Sequence, residues 1–154
     1  MPSYAEDRAE IEELMARYLF ALDWGDGDAY AACFTEDGEI DWARETTRGR
    51  AALKAMCLGF REHMHAIMGD VPHRHFLAQT AVTVNGDSAE VRAVWFEMAR
   101  EGDRFGKSSF GHYEDSLVRQ DGRWLFRRRK IYNEYLPGRG AGALNPLREA
   151  GMER

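Results

Sequence analysis

Nothing in this chain approaches the roughly 20 consecutive apolar residues that a bilayer-spanning helix needs, and that absence excludes a helical membrane protein. The opening Met-Pro-Ser-Tyr-Ala-Glu-Asp has neither the basic nor the apolar region of a secretory signal, so a cytoplasmic protein is expected. Cysteine is scarce. Cys33 and Cys57 are the two present, both in helical patterns, and Cys57 falls on the stripe Leu53, Met56, Cys57, Phe60, Met64. They read as reduced core residues and not as a disulfide framework. Surplus positive charge is missing too: the net charge is -5 and the isoelectric point about 5.6. Phosphate backbones and anionic membranes are therefore poor partners, and a small or neutral ligand fits better. There are no internal repeats or low-complexity tracts. What remains is 154 residues, 44% hydrophobic and 31% charged, which suits one domain with a substantial core.

The first half of the chain is helical in period and the second half alternates with period two, the pattern of an α+β domain with segregated layers. A first helix is expected over about residues 5–22, with Glu6, Asp7 and Glu10 at its positive end. A short helix from Asp28 to Phe34 follows, then a brief strand around Glu39 to Trp42. A third helix runs from about Arg50 to Met68, between Gly49 and the Gly69 and Pro72 breakers. From His75 onward three turns, Asn85-Gly86-Asp87, Glu101-Gly102-Asp103 and Gln120-Asp121-Gly122, divide four strands. These are predicted over Phe76–Val84, Glu90–Arg100, Gly106–Arg119 and Arg123–Tyr135. Strands this long should bend, with Gly106 and Gly111 as bend points, and a curved sheet against helices makes a cone with an interior pocket. The domain is expected to end at residue 136, and 137–154 reads as a Gly/Pro-rich tail without period. Its G-x-G spacing at Gly138 lacks the strand-to-helix context of a dinucleotide loop.

The residues that could carry chemistry begin with Asp23. It stands where the apolar stripe Ile11, Leu14, Met15, Tyr18, Leu22 runs out, and a carboxylate against a buried face is costly unless paired or used. It is a candidate catalytic group, or else the opening residue of the turn Asp23-Trp24-Gly25-Asp26-Gly27. His73 and His75 form an H-x-H on one strand face, and with His63, His65 and His112 they raise a metal site as a rival reading that lacks an evident third ligand. Tyr18 is a core aromatic whose hydroxyl could polarise a substrate oxygen. Arg127, Arg128, Arg129 and Lys130 alternate in a strand. Arg129 is taken over Lys130 as the cavity-facing cation, able to stabilise a developing enolate, carboxylate or halide. Trp24, Trp42, Phe60, Phe76, Trp95, Phe96 and Phe110 supply lining or core; Glu97 shares a face with Trp95, and His112 is a candidate hydrogen-bonding wall residue.

Leu22-Asp23 ending the first helix, His75-Phe76 opening the sheet and Asp121-Gly122-Arg123-Trp124 turning into the last strand resemble the nuclear transport factor 2-like superfamily. More narrowly, the chain resembles the SnoaL-like branch that includes scytalone dehydratase, bile acid 7-alpha-dehydratase and hexachlorocyclohexane dehydrochlorinase. The resemblance covers about residues 5–135 and implies a cone-shaped α+β barrel. It also implies a catalytic Asp-His pair at Asp23 and His75, assisted by Tyr18 and Arg129, with His75 taking a proton and Asp23 fixing its tautomer. Trp24, Trp42, Phe60, Trp95, Glu97, Phe110 and His112 are the expected substrate contacts. Scytalone dehydratase uses a second histidine on the second long strand, where this chain has no histidine. The implied activity is that of a lyase or isomerase without metal or cofactor, acting on a hydrophobic cyclic molecule such as a polyketide, steroid or aromatic compound. The alternative is a non-catalytic small-ligand module or the small subunit of a ring-hydroxylating dioxygenase. A homo-oligomer is implied, a trimer before a dimer, with neither nucleic acid nor membrane as partner.

Overall fold

The computed structural model describes residues 2–42, 45–101, 104–135 and 145–152. Helix α1 (Tyr4–Trp24) starts where Ser3 and Glu6 cap each other: the Ser3 hydroxyl accepts the Glu6 N–H, and the Glu6 carboxylate accepts the Ser3 N–H. Its apolar stripe, from Ile11 through Leu14, Met15 and Tyr18 to Leu22, is buried against the sheet. Gly25 ends it in the left-handed conformation, φ 69°, with its N–H returned to Ala21 and Leu22. A Cβ there would also lie 2.9 Å from Cγ of Arg61. Gly25→Ala is accordingly expected to destabilise the domain by about 1–3 kcal/mol, measured by urea denaturation.

Helix α2 (Gly27–Ala32) is capped by Asp26, which accepts the Ala29 N–H. It stops short of the expected Phe34, because Phe34 already belongs to strand β1 (Phe34–Trp42), where it pairs with Phe126. The strand thus begins well before Glu39, and an irregularity between Phe34 and Glu39 hides its alternation. Strand β2 (Glu45–Arg48) is largely exposed, and its polar sequence carries no apolar period by which to anticipate it. Helix α3 (Arg50–Met68) has the expected bounds, yet only Leu53 and Cys57 are buried among its side chains.

Strands β3 (His73–Asn85), β4 (Ser88–Glu101), β5 (Arg104–Gln120) and β6 (Arg123–Asn133) form the antiparallel meander. The six strands make one mostly antiparallel, curved sheet in the order β2-β1-β6-β5-β4-β3, in which β1 runs parallel to β6. The turn between β5 and β6 has positive φ at both Asp121 and Gly122, as a tight hairpin requires. Bending occurs at register shifts: between Leu77 and Thr80, between Glu97 and Met98, and between Ser116 and Leu117. The second of these lies between the two glycines expected to bend the sheet. Gly111 serves instead for close approach, since a Cβ on it would run into the Tyr132 carbonyl. Strand β6 ends at Asn133, two residues before the expected limit. In the tail, residues 136–144 lie outside the described part, and Pro146–Glu149 forms a single helical turn, α4, capped by Asn145. No helix among the described residues is long and apolar enough to cross a membrane.

Candidate active site

Asp23 occupies the last turn of α1 and faces β3. Its Oδ1 lies 2.6 Å from His75 Nδ1 and its Oδ2 accepts the backbone N–H of the same residue at 2.9 Å. A carboxylate grips only as an acceptor, so Nδ1 is the protonated nitrogen and the ring cannot rotate without losing the contact. Asp23 is therefore committed to His75, and Asp26 is the residue of this turn that caps the following helix. Both dyad side chains are nearly closed to solvent, 4% exposed for Asp23 and 6% for His75.

The other ring nitrogen also meets a carboxylate. Glu97 stands opposite His75 in the β3–β4 ladder, and its Oε2 lies 3.1 Å from His75 Nε2 and 2.8 Å from His73 Nε2. With Nδ1–H committed to Asp23, the contact between Nε2 and Glu97 requires a second proton on the ring or one on the carboxyl. Burial pushes the His75 imidazole down, but the hydrogen bonds and charges of Asp23 and Glu97 outweigh it and raise its pKa to about 9. The His73 and His75 rings stand 5.0 Å apart, and Phe60 packs against both. The donor atoms of His73, His75 and Glu97 fall within 4.8 Å of one another, near enough to share a metal ion.

This cluster borders a cavity of about 530 Å³ between α3 and the inner sheet face, within the roughly 300–1,000 Å³ usual for small-molecule sites. Tyr18, Trp42, Phe60, Trp95, His75 and Glu97 line it, so these expected residues do converge. The Tyr18 and Tyr30 hydroxyls meet at 3.1 Å on one wall, and burial raises the Tyr18 phenol above its ordinary pKa, keeping it a neutral donor. On another wall Asn133 donates to Ser109 at 2.6 Å. The half-buried stripe of α3, Met56, Phe60 and Met64, is apolar because it roofs the cavity.

Four expected site residues lie elsewhere. Trp24 is 57% exposed on the outside of α1, stacked on Phe20 and covered by the Arg74 guanidinium at 3.7 Å. Phe110 is paired with Phe96 on the outer sheet face, where Phe96 stacks on Phe76. His112 is on that face as well, stacked on Tyr132 between Glu114 and Glu134. Arg129 does point inward but is wholly buried beneath Tyr18, held by Asp115 at 2.8 and 2.6 Å, and does not reach the cavity. Tyr30, Ser109, Tyr113 and Asn133, which were not among the expected site residues, line it too. Choosing the opposite parity along β5 exchanges Phe110 and His112 for the inward set Ser109, Gly111 and Tyr113.

A cone of helices closed by a curved sheet around a pocket defines a protein of the nuclear transport factor 2-like superfamily. Within it the chain belongs to the SnoaL-like domain family, whose model matches residues 3–130. It is 31% identical over 134 residues to the uncharacterized protein Rv2910c of Mycobacterium tuberculosis, covering 84% of this chain and 88% of that one. Among solved structures, it resembles an NTF2-like protein with a cystatin-like fold from Novosphingobium aromaticivorans. That match has a TM-score of 0.75 and 28% identity, over 97% of this chain and 91% of the other. A second protein from that organism, named after scytalone dehydratase, matches with a TM-score of 0.68 and 26% identity over 92% and 93% of the two chains.

Proposed function

We propose that the chain is a lyase or isomerase that moves a proton on a hydrophobic cyclic substrate, with Asp23, His75 and Glu97 as its working groups. The observation that supports this most is an imidazole gripped by a carboxylate on each nitrogen at the wall of a largely apolar cavity. A ligand-binding module without chemistry would explain the cavity, but not two carboxylates placed on one histidine.

In this reading Glu97 removes a proton from carbon beside an activating carbonyl, while His75 gives its Nε2 proton to the leaving oxygen. The C–H and C–O bonds break, a double bond forms and water departs. The proton on Glu97 then returns to His75 across their 3.1 Å contact, which restores the starting state. Asp23 keeps the ring aimed and compensates its charge. His75, expected from the resemblance to be the base, becomes the acid once the second carboxylate is placed on its Nε2. An isomerase would use the same groups, with the proton handed back to a different carbon.

The test is a panel of cyclic β-hydroxy ketones and hydroxylated aromatic compounds in D2O, read by loss of water and by deuterium uptake in mass spectrometry. Elimination or exchange that depends on His75 is the expected result. If every ligand that binds emerges unchanged, the proposal falls. Tyr18→Phe should retain the fold and lower kcat by about 3–10-fold, the worth of one neutral hydrogen bond of about 0.5–1.5 kcal/mol; steady-state kinetics on the active compound will show it. The proposal extends to a homo-oligomer, a trimer before a dimer, through the outer sheet face that exposes Phe76 and Val94.

A further inference from the structure

The H-x-H of β3 has a feature that proton transfer leaves unused. His73 does not border the cavity, yet it points Nε2 at the same Glu97 oxygen that His75 Nε2 approaches, at 2.8 and 3.1 Å. One carboxylate oxygen facing two imidazole nitrogens is an arrangement that a bound cation would complete. All three side chains are sheltered, 6%, 6% and 14% exposed. Their donor atoms lie within 4.8 Å of one another.

We propose that His73, His75 and Glu97 form a binding site for a divalent transition-metal ion, of the two-histidine, one-carboxylate type. Three observations carry it. First, nitrogen and oxygen donors in this ratio suit zinc, cobalt or iron, whereas magnesium and calcium prefer oxygen alone. Second, a tetrahedral ion with bonds of about 2.0 Å separates its ligands by about 3.3 Å, so the two histidine–Glu97 contacts of 2.8 and 3.1 Å need open by only a few tenths of an ångström, while the two imidazole nitrogens, within 4.8 Å of each other, close toward the same separation. Third, the outer support such a site needs is built in. Asp23 accepts the Nδ1–H of His75 at 2.6 Å, which leaves Nε2 as the ligating nitrogen and raises its basicity, as carboxylates behind metal-bound histidines do. Phe60 packs on both rings and fixes their planes. His75 and Glu97 border the cavity, so a bound ion offers its remaining position to that space.

Metal and proton then compete for one nitrogen. A bound ion takes the Nε2 lone pair and the Glu97 oxygen, the two atoms used in the proposed elimination, and so switches that chemistry off. This last consequence rests on the lyase reading; the metal site itself does not.

The experiment uses the full chain, stripped with a chelator and titrated with Co²⁺, followed by visible absorption and by equilibrium dialysis, with Zn²⁺ as competitor. One Co²⁺ per chain, a visible band, and its loss on Zn²⁺ addition are expected. His73→Ala and Glu97→Gln should abolish saturable uptake, and Asp23→Asn should weaken it by about 10–100-fold. His73→Gln, checked by circular dichroism, guards against a folding defect in the alanine variant. Absence of saturable uptake overturns the site. So does uptake unchanged in the His73 and Glu97 variants, which would point to the exposed His65 and Asp70 pair. Zn²⁺-loaded chain that eliminates as fast as the stripped chain overturns the competition. Failure of the stripped chain to act on any substrate overturns the lyase reading and leaves the metal site standing.

Discussion

Asp23→Asn is expected to lower kcat by about 10²–10⁴-fold on whichever substrate the wild type turns over, the range that a lost acid-base relay commonly costs. The argument rests on donors and acceptors. Both Asp23 oxygens accept, one from Nδ1–H and one from the backbone N–H of His75. An asparagine has one oxygen and one NH₂, so one of these two donors must face another donor. The ring then turns away or gives up a proton, and with it the aim of Nε2 at Glu97. KM should move little, because Asp23 stands behind His75 and does not line the cavity. Kinetics of the variant beside its circular dichroism spectrum decide the matter. Wild-type kcat in a folded Asp23→Asn chain would remove Asp23 from the mechanism, and a raised KM with unchanged kcat would reduce it to a packing role. In the proposed cycle Asp23, His75 and Glu97 depend on one another to pass protons, so pairwise variants should cost far less than the product of the single losses.

The helical half of the fold was readable because each apolar stripe serves one surface. Helix α1 buries its stripe in the core, and α3 turns its own to the cavity, so period and function agree. Asp23 stood out as a carboxylate where the apolar stripe of α1 runs out, whereas His75 was singled out by the family resemblance that pairs it with that position. The long strands were harder. On β5 the inward side carries Ser109, Gly111, Tyr113 and Asp115, while Phe110 and His112 point outward. The usual rule of apolar inside and polar outside is inverted there, because the inner face serves a polar cavity wall and an ion pair. A reader of alternation therefore picks the wrong parity. Glu97 was placed on the correct face through its register with Trp95, but its contact with two histidines depends on strand pairing, which alternation within one strand cannot disclose. Strand β2 has so little burial that it left no periodic signal at all.

Arg129 is where the largest loss of stability is expected. It is the cation that the strand pattern placed inward, and its environment is a closed one: 0% exposed, like its partner Asp115. Two nitrogens meet the two carboxylate oxygens at 2.8 and 2.6 Å. The rings of Tyr18, Tyr113 and Phe126 surround the guanidinium at 4.0 to 4.2 Å. Burial lifts the Asp115 carboxyl above its ordinary pKa against the pull of Arg129, a sign of how costly the pair is to desolvate. Removing one partner strands the other charge. Arg129→Met alone should destabilise the domain by about 3–5 kcal/mol, a fall in Tm of roughly 6–20 °C for a chain of this size. Asp115→Leu alone should do the same. The double variant Arg129→Met, Asp115→Leu buries apolar groups in place of both charges and should recover most of the loss, since nothing is left unpaired. Thermal and urea denaturation of the three variants measure this directly. The same set separates structure from chemistry: a guanidinium beneath the Tyr18 floor touches no substrate, so the refolded double variant should still turn over. A stable double variant with no activity would return Arg129 to the catalytic group.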